Sequence, residues 1–151
     1  MGISIKDLQS AVKRVKPVEH RLEIKKIGNF YQIDDAYNSN PIGAKGALDV
    51  LSAMDGYKVV VTPGMIELGK KEYELNKEFG KQISEVADLV ILIGKKQTKP
   101  ILDGLESMDY PSDKIKILND VRESYSLINN LNKKKDVYAL YENDLPDTYN
   151  E

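Results

Sequence analysis

Hydrophobic residues recur along this chain in two rhythms, and the alternation of those rhythms predicts a sheet with helices laid against it. Ser4 can cap a first helix whose apolar residues Ile5, Leu8, Val12 and Val15 keep helical spacing until Pro17 stops it, which predicts a leading helix over 4–15. From His20 the texture turns strand-like: Leu22, Ile24 and Ile27 lead to Gly28-Asn29 and then Phe30-Tyr31-Gln32-Ile33, the pattern of a hairpin. Asn40-Pro41 is a good cap and first residue for a helix that carries Ala44, Ala47, Leu48, Leu51 and Met54 on one face and ends near Asp55-Gly56. Tyr57–Val61 and Leu89–Ile93 are short β-branched runs, the second nearly continuous, as in strands buried on both faces. Between them residues 70–86 place Tyr73, Phe79, Ile83 and Val86 at helical intervals. Ile115–Leu118 and Val137–Leu140 predict two more strands, with a helix around 120–131 between them. Alternation of this kind implies right-handed crossovers and an α/β doubly wound sheet, whose ligands sit beyond the carboxyl ends of the strands.

Composition narrows the partners. Twenty-two Lys+Arg against 24 Asp+Glu leave a net charge of −2, so no general field draws the chain onto nucleic acid or anionic membrane. Lys133-Lys134-Lys135 is too short a run to change that. The absence of cysteine excludes disulfides and thiolate chemistry and favours a reducing, cytoplasmic setting. His20 is the only histidine, so no His-based dyad, triad or two-His metal site can form. The opening residues have no apolar core of a signal peptide, and no apolar stretch is long enough to span a membrane.

Two loops carry candidate chemistry. Ile33-Asp34-Asp35-Ala36-Tyr37-Asn38-Ser39-Asn40-Pro41 leaves a strand and enters a helix. That places Asp35 at a strand's carboxyl end, where it could accept both hydroxyls of a ribose, with Asn38 and Asn40 beside helix amides that favour phosphate oxygens. The same residues also serve as ordinary turn and cap residues. Thr62-Pro63-Gly64-Met65-Ile66-Glu67-Leu68-Gly69 follows the next strand and occupies the same rim. Its glycines permit close backbone approach, and Glu67 could bind an ammonium group or a metal-bound water; it also suits a plain βα loop. Gly94-Lys95-Lys96-Gln97-Thr98, after the strongest strand, could bring lysines to a phosphate or leave them solvated. None of these is a Walker-type loop, which needs Gly-Lys-Ser/Thr at its end.

Taken together and in this order, His20-Arg21-Leu22-Glu23, Asp34 to Pro41, Lys45-Gly46-Ala47-Leu48-Asp49-Val50-Leu51 and Gly64-Met65-Ile66-Glu67-Leu68-Gly69 resemble the C-terminal domain of the Mur ligases, nearest the MurF branch. The resemblance implies a Rossmann-like, mostly parallel sheet of about six strands with helices on both faces. It also implies ATP and Mg²⁺ as cofactors, bound mainly by domains outside this sequence, and an acyl phosphate attacked by an incoming amine in peptidoglycan precursor synthesis. Residues 1–16 would then be a connecting stub and 17–151 the C-terminal domain. The partners implied are the N-terminal and central domains of the same ligase, ATP, an amino acid or dipeptide, and a UDP-muramoyl peptide, with no nucleic acid and no membrane. Arg21, Asp35, Asn38 and Asn40 match nucleotide-side positions, and Glu67 and Tyr37 substrate-side ones. No catalytic residue or metal ligand is assigned to this chain, and by itself it should be inactive.

Three departures fall on the amine side. Pro63-Gly64-Met65-Ile66 stands where MurF sequences have Gly-Asp-Met, Asn76 replaces a frequent histidine, and Tyr141-Glu142-Asn143-Asp144-Leu145-Pro146-Asp147 replaces the usual Lys-Gly-Ser. They leave open a paralogue with another acceptor, a folylpolyglutamate or cyanophycin type of ligase, and a non-catalytic nucleotide-binding or interaction module. On any ligand-binding reading, Arg21, Asp35, Asn38 and Asn40 should be exposed and clustered, with Glu67 along the same edge.

Overall fold

Strands and helices alternate through almost the whole of the computed structural model, which describes residues 22–35, 40–131 and 133–142. The helix predicted over 4–15, the stub over 1–16, and His20, Arg21, Tyr37 and Asn38 lie outside those residues. The described elements run β1 (Glu23–Ile27), β2 (Phe30–Asp35), α1 (Pro41–Ser52), β3 (Tyr57–Thr62), α2 (Glu72–Ser84), β4 (Leu89–Ile93), α3 (Lys99–Ser107), β5 (Ile115–Leu118), α4 (Arg122–Asn129) and β6 (Val137–Glu142). They build one six-stranded sheet in the order β1-β2-β6-β3-β4-β5, with β1 antiparallel to β2 and all other neighbours parallel. This is the mostly parallel α/β sheet that the alternation and the resemblance led us to expect.

Local chemistry explains the elements. Ile27 pairs with Phe30 across a two-residue turn in which Gly28 takes φ +57°, a conformation glycine adopts without steric cost. The Asn129 side chain at the end of α4 accepts from the Asn29 N–H at 2.9 Å and ties the hairpin to the opposite end of the chain. Asn40 caps α1 as expected, its Oδ1 accepting from the Gly43 N–H at 2.7 Å, with Pro41 in the first turn where no amide is missed.

Both faces of the sheet are covered. Alternate residues of the central strands divide between two apolar layers: Val60 and Leu140 face Leu48, Phe79, Ile83 and Ile101 of α1, α2 and α3, while Val59, Val61 and Ala139 face Ile128 of α4. Tyr73, counted from its spacing as part of the buried face, is half exposed instead. It lies at the outer seam between α2 and α3, where its hydroxyl donates to Asp103 at 2.6 Å.

Helix α3 was not assigned from sequence. Its nine residues include Pro100 and Gly104, and it is fastened by Thr98, whose hydroxyl donates to the Gly94 carbonyl at 2.7 Å. Burial of Ile101 and Leu105 holds it to the sheet, each side chain contributing about 1.5–3 kcal/mol. Glycines set how closely it approaches α2: a Cβ on Gly80 would run into the Ile101 carbonyl, and one on Gly104 into the Lys77 carbonyl.

The glycines of these helices should therefore respond in opposite directions to one methyl group. Gly80→Ala should destabilise by about 1–3 kcal/mol through overpacking, whereas Gly46→Ala, with nothing within 4 Å of the added Cβ, should stabilise by up to about 1 kcal/mol. Thermal unfolding of the two variants checks the pair, and equal midpoints would contradict the close α2–α3 contact.

Candidate functional site

The parallel sheet brings three connections to one edge. Because β2, β6, β3 and β4 run the same way, the carboxyl end of β2, the loop after β3 and the loop after β4 lie together beyond their strand ends. Asp35, Glu67 and the 94–98 loop therefore share one end of the sheet, together with the N-terminus of α1, whose amides favour anions.

Asp35 departs from expectation. It was expected to be solvent-exposed, but it is only 7% exposed. As the last residue of β2 it follows Ile33 onto the layer beneath α1, and its neighbour across the ladder is Glu142, the last residue of β6. Period-two alternation sends Asp34 to the opposite face, where its charge helps to raise the Tyr125 hydroxyl above the ordinary tyrosine range, burial being the larger cause. Asn40 is half-buried and its side-chain oxygen serves the α1 cap. Glu67 is exposed, at φ +60°. Of the expected cluster, Asp35, Asn40 and Glu67 are therefore brought to one rim, while Arg21, Asn38 and Tyr37 lie outside the described residues.

Glu142 belongs to this site and was not singled out from sequence as more than part of a departure. It is 0% exposed, and as a carboxylate neither of its oxygens has a hydrogen-bond partner. Burial, first, and the hydrogen bond and charge of Asp35, second, push its carboxyl well above the usual glutamate range. An acidic residue closing the apolar run Val137-Tyr138-Ala139-Leu140-Tyr141 was the available signal.

The loop after β3 is built by a clamp. Gly64 lies at φ +90° with its N–H bonded to the Thr62 hydroxyl oxygen at 3.0 Å. Asn76, buried on α2, accepts from the Met65 N–H at 2.8 Å and donates from Nδ2 to the Met65 carbonyl at 2.9 Å and the Glu72 carbonyl at 2.9 Å. Through its two bonds to Met65, Asn76 thus holds the loop after β3 from the inside. Across the rim Gly94 takes φ +89°, Gln97 donates to the Ile93 carbonyl at 3.1 Å, and Thr98 is fully buried, so the loop after β4 offers its exposed Lys95 and Lys96 to solvent. Among the described residues no group of three or more His, Asp or Glu is placed to hold a metal ion, and no helix is long and apolar enough to cross a membrane.

Comparison with known proteins identifies the family and the fold. The family described as "Mur ligase, glutamate ligase domain" matches residues 20–140. The UDP-N-acetylmuramoyl-tripeptide–D-alanyl-D-alanine ligase of Bacillus subtilis is 36% identical over 98 residues, covering 62% of this chain and 21% of that protein. MurF from Acinetobacter baumannii superposes with a TM-score of 0.71 at 23% identity, covering 94% of this chain and 31% of that one. MurF from Thermotoga maritima, solved in complex with ADP, gives 0.65 at 25% identity over 84% of this chain and 28% of that one. Folylpolyglutamate synthase from Thermotoga maritima shares the fold, with a TM-score of 0.56 at 14% identity over 93% of this chain and 31% of that one. The chain spans about a fifth of the length of the curated relative and under a third of the solved ones.

Removing the clamp tests its importance. Asn76→Ala should leave the buried Met65 N–H and carbonyl without partners, at about 1–3 kcal/mol each, and should speed amide exchange at Met65 in particular. Urea denaturation and hydrogen exchange by NMR read both effects, and unchanged Met65 exchange would show that the loop is held by something else.

Proposed function

This chain belongs to the Mur ligase family as its glutamate ligase domain, homologous to that of MurF, and on that premise we propose that it forms one wall of the ATP site in an ATP-dependent, amide-bond-forming ligase. The observation that carries the reading is the convergence of the ends of β2, β3 and β4 with the N-terminus of α1 at one sheet edge. A relative of the same fold was solved with ADP, which supports an adenine nucleotide as the ligand.

The donor set suits such a nucleotide. Asp35 offers a carboxylate to ribose hydroxyls through its exposed remainder, while α1 presents its N-terminal amides and Asn40 an amide side chain to phosphate oxygens. Arg21 and Asn38 join this set by their positions in sequence. Glu67 and Tyr37 we assign to the incoming amine, Glu67 being the exposed carboxylate on the same rim. Bound ATP supplies the phosphoryl group that activates the carboxyl substrate. Its phosphates and Mg²⁺ are held chiefly by the N-terminal and central domains, against which residues 17–151 close, with 1–16 as the connection. The setting we propose is the cytoplasm, where UDP-muramoyl precursors and ATP meet.

Two measurements test the reading. The 151-residue chain should bind ADP weakly, at about millimolar Kd or −4 kcal/mol, with NMR shifts concentrated at Asp35, Asn40 and Gly64–Glu67, and should not hydrolyse ATP above background. In the complete ligase, Asp35→Ala should raise the KM for ATP by the loss of charge-assisted bonds worth about 1.5–3 kcal/mol each. Shifts confined to the amino ends of the strands, or an unchanged KM, would refute this assignment.

A further inference from the structure

The last rung of the β2–β6 ladder sets two acids side by side. Asp35 is paired with Glu142 in register, and both side chains emerge on the face that Ile33 and Leu140 occupy two residues earlier. Among the described residues, those that β3 and α1 place toward this end of the face are neutral. On the β3 side Thr62 offers a hydroxyl that accepts from the Gly64 N–H, and the loop beyond it contributes the buried thioether of Met65. Above, α1 presents Ala44 and Leu48 to this face, while its charged Lys45 and Asp49 pair with each other on the exposed side at 2.6 Å. The charge that acts on Glu142 is that of Asp35.

An ionised Glu142 would have surrendered its hydration with no donor in return, beside a second negative charge. One proton removes both penalties: placed on Glu142, it gives that side chain a hydroxyl whose acceptor is an Asp35 carboxyl oxygen. We propose that Glu142 is a positioning residue for the nucleotide site, donating a hydrogen bond from its carboxyl to Asp35 and so holding that side chain in place at the rim. The pair itself stands on the ladder geometry and on the orphaned oxygens of Glu142; the role given to Asp35 rests on the nucleotide reading above.

The sign of the pH effect follows from linkage. The fold binds the Glu142 proton more tightly than the unfolded chain does, so this contribution to stability is complete below the ordinary glutamate range and is lost as pH rises through the shifted value. The same rise would set two charges against each other and displace Asp35.

Glu142→Gln separates the possibilities, because it keeps a donor toward Asp35 and cannot titrate. Between pH of about 5 and about 8, the urea midpoint of the native chain should fall relative to that of the variant. ADP affinity, followed by NMR, should drop severalfold over the same window in the native chain and stay level in the variant by comparison, the nucleotide's own ionisation being common to both. Parallel urea curves with ADP binding intact would overturn the positioning role and leave the nucleotide site standing. Separated curves with no ADP-induced shift in either protein would overturn the nucleotide reading and the positioning role with it. Should the variant not fold, a carbon-13 titration of the Glu142 carboxyl in the native chain reads the proton directly, and ordinary glutamate behaviour there would refute the proposal.

Discussion

The sheet depends on a strand that comes last among the described residues. β6 lies between β2 and β3, donates and accepts on both sides, and has all six of its residues buried. Without it no backbone ladder would join the β1–β2 hairpin to β3, β4 and β5. The rim depends on the same strand, since Asp35 and Thr62 sit on strands that never touch and are aligned only because each pairs with β6. A parallel strand in this position leaves its carboxyl end at the place where the two halves of the sheet diverge, which is where open α/β sheets bind their ligands.

The sequence was legible where one rhythm ran long enough to exclude the other. The continuous apolar strand at Leu89–Ile93, the capped start of α1 at Asn40-Pro41 and the Gly28 turn each follow from side-chain spacing and backbone preference alone. Helix α3 escaped because nine residues containing a proline and a glycine give little periodicity, and because its glycine is there for close helix packing, which is a tertiary reason. Tyr73 shows the complementary error: spacing counted its ring with the buried face, and its hydroxyl found Asp103 on a helix that spacing had not revealed.

The site was half legible for a related reason. Alternation along β2 already separates Asp34 from Asp35, and the order of strand, loop and helix places Asp35 at a carboxyl end. Nothing local, however, says which strand lies next to β2, so neither the burial of Asp35 nor its pairing with Glu142 could be read before the strand order was known. Asn76 is similar. From sequence it stood out only through the resemblance, as a departure; the structure shows that it holds the loop after β3 from the inside and so acts on the shape of the rim. The family match spans residues 20–140 and so includes both the β2–α1 connection and the loop after β3.

The two outer strands have a colloidal consequence. Among the described residues β1 and β5 end the sheet, each with one backbone edge that no other described strand covers, and such edges in many proteins invite a second chain to add a strand. Here β5 is four residues long and carries exposed Lys116 at its centre, while β1 carries exposed Lys25 and Lys26, the latter with its ammonium 5.1 Å from the centre of the Tyr31 ring. Edge-to-edge stacking of two copies would bring these ammonium groups together and strip their hydration. The two described edges of the sheet are in this way guarded against growing into a ribbon.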